Sequence, residues 1–99
     1  MFDFTKYEKV LDDHRVGGSI NEIQHLTEML DNDNVINELV YQDMFTVFSM
    51  DNLDIYVYLL IIDNVSYLLT CEMWTDKETD YDSNVIRGIK ELVLWSSPI

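Results

Sequence analysis

The chain has 99 residues, of which 19 are acidic and 6 are basic, so its formal net charge is −13. A hydrophobic fraction of 47%, with only three glycines and one proline, argues against disorder, because this much apolar side chain can form a core. The charge argues against direct nucleic-acid binding, which needs a basic surface. We expect a single folded domain over residues 1–99.

The N-terminal third predicts two short helices. Thr5 and Glu8 have the spacing of a capping box, and the apolar residues that follow share one helical face: Phe4, Tyr7 and Leu11. A second capping box, Ser19 to Glu22, opens an apolar stripe at helical spacing: Ile20, Ile23, Leu26, Thr27 and Leu30. The polar run 31–34 predicts the end of this helix.

The middle of the chain predicts an antiparallel meander of three or four strands. Residues 35–41 suit a helix or a strand equally well. Three later segments are rich in β-branched and aromatic residues and predict strands: 45–48, 53–62 and 65–74. Asp51-Asn52 and Asp63-Asn64 separate them and favour tight turns, because Asp and Asn tolerate positive φ. Both faces of the segment 53–62 are largely apolar, so we expect helices to cover one face and a partner to meet part of the other.

The C-terminal third predicts a polar, acidic loop over 75–82 and a final helix over 83–96. The inward face of this helix would hold Val85, Ile86, Ile89, Leu92 and Val93. The expected fold is therefore α+β, with a small antiparallel β-meander and with two N-terminal helices and one C-terminal helix packed on one face.

No residue pattern in the chain predicts catalysis or a cofactor. The acidic alternation over 76–82 lacks the Gly and Glu that an EF-hand needs at its sixth and twelfth positions. His14, His25 and Cys71 are not spaced as zinc ligands. Cys71 lies in a predicted strand among carboxylates, so we interpret it as a buried free thiol and not a nucleophile. We expect a protein that is not an enzyme and that uses no cofactor or metal.

The distribution of charge is the main functional signal. Residues 16–76 contain eleven carboxylates and no lysine or arginine. Carboxylates at i and i+3 on a helix, or at i and i+2 on an extended segment, are spaced much like successive phosphates of one nucleic-acid strand. We therefore predict nucleic-acid mimicry toward a basic partner, with these partner-binding residues: Glu28, Asp31, Asp33, Glu38, Asp43, Asp76, Glu78, Asp80, Tyr81 and Asp82.

In size and charge the chain resembles the small acidic proteins with which phages block bacterial defence, the DNA-mimic anti-restriction and anti-CRISPR proteins. The resemblance is one of class, without a shared motif, and it implies a non-enzymatic inhibitor of a nucleic-acid-binding or nucleic-acid-cleaving protein. Three alternatives remain: an immunity protein or antitoxin that neutralises a nuclease toxin, an assembly subunit whose apolar sheet face binds a partner or a second copy in a homodimer, and an acidic surface that serves only solubility or a partner that does not handle nucleic acid.

The expected location is the cytoplasm, in a bacterial host if the protein is phage-encoded. The N-terminal residues 1–4 lack the positive charge of a secretory signal, and the single cysteine suits a reducing compartment. The longest apolar run, 55–62, has eight residues, whereas a membrane-spanning helix needs about 20. A strongly acidic surface would also be repelled by anionic lipids, so we expect no membrane partner.

Overall fold

The computed structural model describes residues 2–13, 21–49, 52–76 and 81–92. Two helices precede four strands: α1 (Thr5–Asp13), α2 (Glu22–Asn32), β1 (Asn37–Thr46), β2 (Leu53–Ile62), β3 (Val65–Asp76) and β4 (Tyr81–Glu91). The strands form one antiparallel sheet in the order β1-β2-β3-β4, and both helices contribute to a core on one of its faces. The predicted α+β class and antiparallel meander are confirmed.

Helix α1 packs through the face that its sequence predicts, because the three residues of that face are all buried: Phe4, Tyr7 and Leu11. Its start differs from the prediction. The Asp3 carboxylate accepts the Thr5 N–H at 3.0 Å, so the side chain that satisfies the first free amide comes from before the helix. The predicted pairing of Thr5 with Glu8 is not the contact that begins α1.

Helix α2 also buries its predicted stripe, with Ile23, Leu26 and Leu30 in the core. Its cap is Asn21, whose Oδ1 accepts the Gln24 N–H at 3.0 Å. Ser19 and Ile20 lie outside the described residues. The structure gives Glu22 a role that the capping box did not predict: its side chain is fully buried and its Oε1 accepts the N–H of Ile86 at 2.7 Å.

A second hydrogen bond joins the start of α2 to β4. The Asn84 Oδ1 accepts the N–H of Ile23 at 3.0 Å, and an isolated parallel bridge links Asn21 with Asn84. The first turn of α2 therefore lies along the outer edge of β4. A side chain of the strand thus accepts a helix amide, and a side chain of the helix accepts a strand amide. Both hydrogen bonds are buried, so neither amide is left without an acceptor.

The predicted C-terminal helix over 83–96 is wrong, because residues 81–91 form strand β4 and residues 93–96 lie outside the described part of the chain. A β-bulge explains the error. Cys71 pairs with Ile86 and Thr70 pairs with Gly88, which leaves Arg87 as an extra residue. The extra residue places Ile86 and Ile89 on the same face three positions apart, which is the spacing of a helix.

A second bulge lies in β1. Tyr41 pairs with Tyr58 and Asp43 pairs with Val57, so Gln42 is the extra residue. The ambiguous segment 35–41 and the predicted strand 45–48 are thus parts of one strand, Asn37–Thr46. The predicted loop over 75–82 is shorter than expected, because β3 extends to Asp76 and β4 begins at Tyr81.

The turn between β2 and β3 has the predicted form. Ile62 pairs with Val65, and the two residues between them have positive φ angles, 51° at Asp63 and 62° at Asn64. These values suit a two-residue hairpin turn whose twist matches that of the strands. Of the other predicted turn, Asp51 lies outside the described residues.

We expect the substitution Glu22→Leu to destabilise the fold by about 1–3 kcal/mol, because it leaves the buried Ile86 N–H without its carboxylate acceptor. Glu22→Gln keeps an acceptor oxygen and should cost less. Equilibrium unfolding in urea measures both values. The control is Glu28→Leu on the exposed side of the same helix, for which we expect a change within about 0.5 kcal/mol. Equal stabilities of the two leucine variants would contradict the role of this bond.

Candidate partner-binding surfaces

The ten predicted partner-binding residues do not form one surface. Glu28, Asp31 and Asp33 lie in the second half of α2 and at its C-cap. Glu38 and Asp43 lie in β1, on the sheet face opposite the helices. The rest lie at or between the ends of β3 and β4: the backbone of Asp76, Tyr81 and Asp82 is in these strands, and Glu78 and Asp80 lie outside the described residues.

Asp33 serves the fold itself. Its Oδ2 accepts hydrogen bonds from Lys6 Nζ at 2.7 Å and from the Tyr7 hydroxyl at 2.6 Å. The hydrogen bond from Lys6 and then that from Tyr7 lower the pKa of Asp33 below its usual value of 3.8. These contacts hold α1 against the end of α2. Asp33 therefore has a cationic partner, which comes from outside the segment 16–76.

Two further carboxylates of the segment 16–76 have internal roles. Glu22 is the buried acceptor for the amide of Ile86. Glu72 forms an ion pair with Arg87, the bulge residue of the neighbouring strand. The sequence pattern predicted neither role, because the partners are 64 and 15 residues away.

Glu28 and Asp31 form the exposed acidic pair of α2. They are three residues apart, which places them on adjacent turns of the same helical face. Glu28 accepts a hydrogen bond from Gln24 Nε2 at 2.9 Å, and Asp31 accepts one from Asn37 Nδ2 at 2.8 Å. Within the described part of the chain, neither has a Lys or Arg nitrogen within 4.0 Å. Their charge is free to act on a partner.

The sheet face opposite the helices is apolar at its centre. The register places four residues of β2 on this face, with aliphatic neighbours on the strands beside it: Ile55, Val57, Leu59 and Ile61, then Val40 and Leu68. None of the six belongs to the core under the helices. We call this surface the open face. The two helices pack on the other face of β2.

Opposite charges border the open face. Glu38 and Asp43 stand on β1 at one side, while Lys90 and the bulge residue Arg87 stand on β4 at the other. Sequence reasoning identified the two acids but predicted that the segment with the two basic residues, 83–96, is a helix. The β4 bulge is the reason, because it gave this segment a helical spacing.

Three tyrosines form an aromatic cluster on the helix-side face of the sheet. The ring centroids of Tyr41, Tyr56 and Tyr58 lie 5.8 to 6.3 Å apart, and Tyr41 is 54% exposed. Tyr67 is buried and is part of the core, and the side chain of Tyr81 lies outside the described part.

The chain contains one cysteine, Cys71, which lies in β3. The prediction that Cys71 is a buried free thiol is confirmed, and burial raises its pKa to about 12, so the thiol is protonated at neutral pH. Among the described residues, no group of three or more His, Cys, Asp or Glu side chains could hold a metal ion. Neither of the two described helices is long and apolar enough to cross a membrane.

A shallow cleft of about 210 Å³ lies between α1 and α2. The ion pair of Lys6 with Asp33 is part of its lining.

Comparison of the chain with protein-family models, with curated proteins and with solved structures finds no match.

We expect Asp33→Asn to lower the melting temperature at pH 7, with a difference from the unsubstituted protein that disappears in acid. The pKa of Asp33 is lower in the folded than in the unfolded state, so its stabilisation is present above the unfolded value and is lost as the pH falls through the folded value. Thermal unfolding at pH 7 and at a pH well below 3.8 measures this. Glu28→Gln, which makes the same charge change without an ion pair, should show no such pH-dependent difference.

Proposed function

We propose that this protein is a non-enzymatic inhibitor that occupies the basic nucleic-acid-binding site of a nucleic-acid-handling protein. The observation that supports the proposal is the number of exposed carboxylates that the fold does not use. Of the four cations with described side chains, Lys6 and Arg87 already form ion pairs, so they cannot neutralise the other acids. A net charge of −13 on 99 residues destabilises the compact state by self-repulsion.

The acidic pair of α2 is the part of this surface best suited to contact a cationic groove. Glu28 and Asp31 are exposed, and a helix holds them at a fixed separation. Each also accepts a hydrogen bond from a neighbouring amide side chain, which restricts its orientation. Asp33 is excluded from this contact set, because Lys6 and Tyr7 occupy it.

Electrostatics would govern the kinetics of such an inhibitor. A strongly anionic protein approaches a Lys- and Arg-lined site faster than a neutral one, with gains in association rate of about 10 to 10³. Added salt screens this attraction, since the Debye length falls from about 10 Å at 0.1 M to about 3 Å at 1 M. Binding by mimicry is therefore steeply salt-dependent, whereas contact through apolar surface is not.

The proposed setting is the cytoplasm of a bacterial cell, where a phage protein would act against a restriction or CRISPR nuclease. The size and the charge support this setting. An immunity protein against a nuclease toxin would use the same contact, so the identity of the partner separates the two.

The experiment has two steps: affinity capture from bacterial lysate with mass spectrometry, followed by competition between this protein and duplex DNA for the captured partner. We expect to capture a basic nucleic-acid-binding protein. We expect its binding to DNA and its binding to this protein to be mutually exclusive. We also expect the double variant Glu28→Lys/Asp31→Lys to lose at least about tenfold in affinity, because it places two cations against a cationic groove.

The matched control for the charge change is Asp43→Lys/Asp54→Lys, which alters the net charge equally but lies at the other end of the β1–β2 pair from Asn37, the residue that contacts Asp31. It should weaken binding much less at moderate salt. A captured partner that binds DNA and this protein at the same time would refute mimicry. Equal losses in the two variants would show that only the total charge matters and that the acidic pair is not the contact.

A further inference from the structure

Exposed apolar side chains are concentrated along β1. Of the six large apolar residues that are exposed in the described part of the chain, five lie in or beside this strand: Ile36, Tyr41, Met44, Phe45 and Phe48. Single exposed apolar residues are ordinary on a protein surface, but a row of them along one strand is typical of a surface that another molecule covers. β1 is therefore a candidate contact strand.

β1 is also the free edge of the sheet. It pairs with β2 on one side, and among the described residues no backbone-to-backbone hydrogen bond reaches its other side. In an antiparallel ladder, the backbone groups of successive residues point alternately to the neighbour on one side and to the neighbour on the other. An edge strand thus leaves about half of its N–H and C=O groups for a further strand.

The turn between β2 and β3 shows which backbone groups of β1 point inward. Ile62 and Val65 flank the two-residue turn and exchange its backbone hydrogen bonds, so the groups of Ile62 point to β3. The groups of the preceding residue, Ile61, then point to β1. Ile61 pairs with Glu38, so the groups of Glu38 point to β2.

The outward groups of β1 follow by alternation. Leu39 and Tyr41 direct their N–H and C=O groups to the outer side of the strand. Beyond the bulge, the Met44 N–H donates to Asp43 Oδ1 at 2.7 Å, so this amide also lies outside the ladder with β2. The register places the side chains of Leu39, Tyr41 and Met44 on the helix-side face of the sheet.

The two faces of β1 differ in their chemistry. The helix-side face is apolar at Leu39, Tyr41 and Met44, whereas the open face carries the exposed carboxylates of Glu38 and Asp43. The side chains of a strand added beside β1 would lie about 4.5–5.5 Å from those of β1 on the same face. The complementary strand therefore alternates apolar residues, on the helix side, with cations, on the side of the open face.

A second copy of this chain lacks that complementarity. Antiparallel pairing of β1 with itself would bring Glu38 and Asp43 of one copy beside the same carboxylates of the other. Like charges on neighbouring strands destabilise the pairing, and each copy has a net charge of −13. The two carboxylates therefore disfavour self-pairing and favour a basic strand.

We propose that β1 binds an extended basic segment of another protein, which adds antiparallel to the sheet as a fifth strand. Its cations lie beside Glu38 and Asp43, and its apolar residues cover Tyr41 and Met44. Its backbone bonds the outward groups of Leu39 and Tyr41. The proposal uses β1 and not the acidic pair of α2, so it does not rest on the inhibitory function.

The probe is a capped seven-residue peptide of alternating lysine and valine, whose affinity is measured by calorimetry. Two isomers carry three backbone N-methyl groups each, on the valines or on three of the lysines. In the proposed arrangement the valine amides point to β1, because the valines lie opposite residues with outward groups. We expect methylation of the valine amides to weaken binding at least about tenfold, and methylation of the lysine amides to have a much smaller effect.

Two pairs of protein variants test the two faces of β1. Glu38→Lys should weaken binding of the unmethylated peptide at least about fivefold, whereas Glu8→Lys, the same charge change on the exposed side of α1, should have little effect at moderate salt. Tyr41→Ser should weaken binding several-fold more than Phe48→Ser, because Phe48 is equally accessible but lies beyond the end of β1. Circular dichroism checks that all four variants are folded.

Four results would overturn the proposal. Absence of binding would mean that another part of this chain or a second copy occupies the edge of β1. Equal binding of the two N-methyl isomers would mean that charge attracts the peptide without strand addition. A loss confined to the isomer methylated on lysine would contradict the assignment of cations to the open face. Equal losses in Glu38→Lys and Glu8→Lys would show that only the net charge matters.

Discussion

The architecture depends on one buried joint, in which the carboxylate of Glu22 accepts the Ile86 N–H and the side chain of Asn84 accepts the Ile23 N–H. β4 is an edge strand, and amides at the outer side of an edge strand have no strand to bond. The first turn of α2 has free amides for the same geometric reason. Each element supplies an acceptor for the other. The two hydrogen bonds therefore hold α2 against one edge of the sheet and fix the orientation of the helix relative to the strands.

This joint also determines which surfaces stay available. The two helices cover one sheet face, α2 covers the edge of β4, and β1 remains as the open edge with a bulge and two carboxylates, features that discourage unwanted strand pairing. The acidic residues divide accordingly. Some maintain the fold, such as Asp33 and Glu22, and others face solvent on the helix layer. The apolar open face lies on the opposite side of the sheet from the two helices.

Local patterns predicted the structure correctly wherever the chain keeps a regular period. The stripes of α1 and α2 are buried as expected, and the turn Asp63-Asn64 has the positive φ values that its residues favour. Both errors of strand assignment coincide with a β-bulge. The extra residue at Gln42 divided β1 into two apparent segments, and the one at Arg87 gave β4 a helical spacing. A bulge changes the period of side chains from two to three, and sequence periodicity alone cannot separate it from a helix.

The sequence by itself determined the charge, the α+β composition and the residues that fill most of the core, because these follow from residue type and local spacing. The tertiary structure decided which acids are free. Asp33 is neutralised by a lysine 27 residues away, Glu72 by an arginine 15 residues away, and Glu22 is buried against an amide 64 residues away. Only folding brings such partners together. The stretch without lysine or arginine from residue 16 to 76 is therefore less anionic in space than it is in sequence.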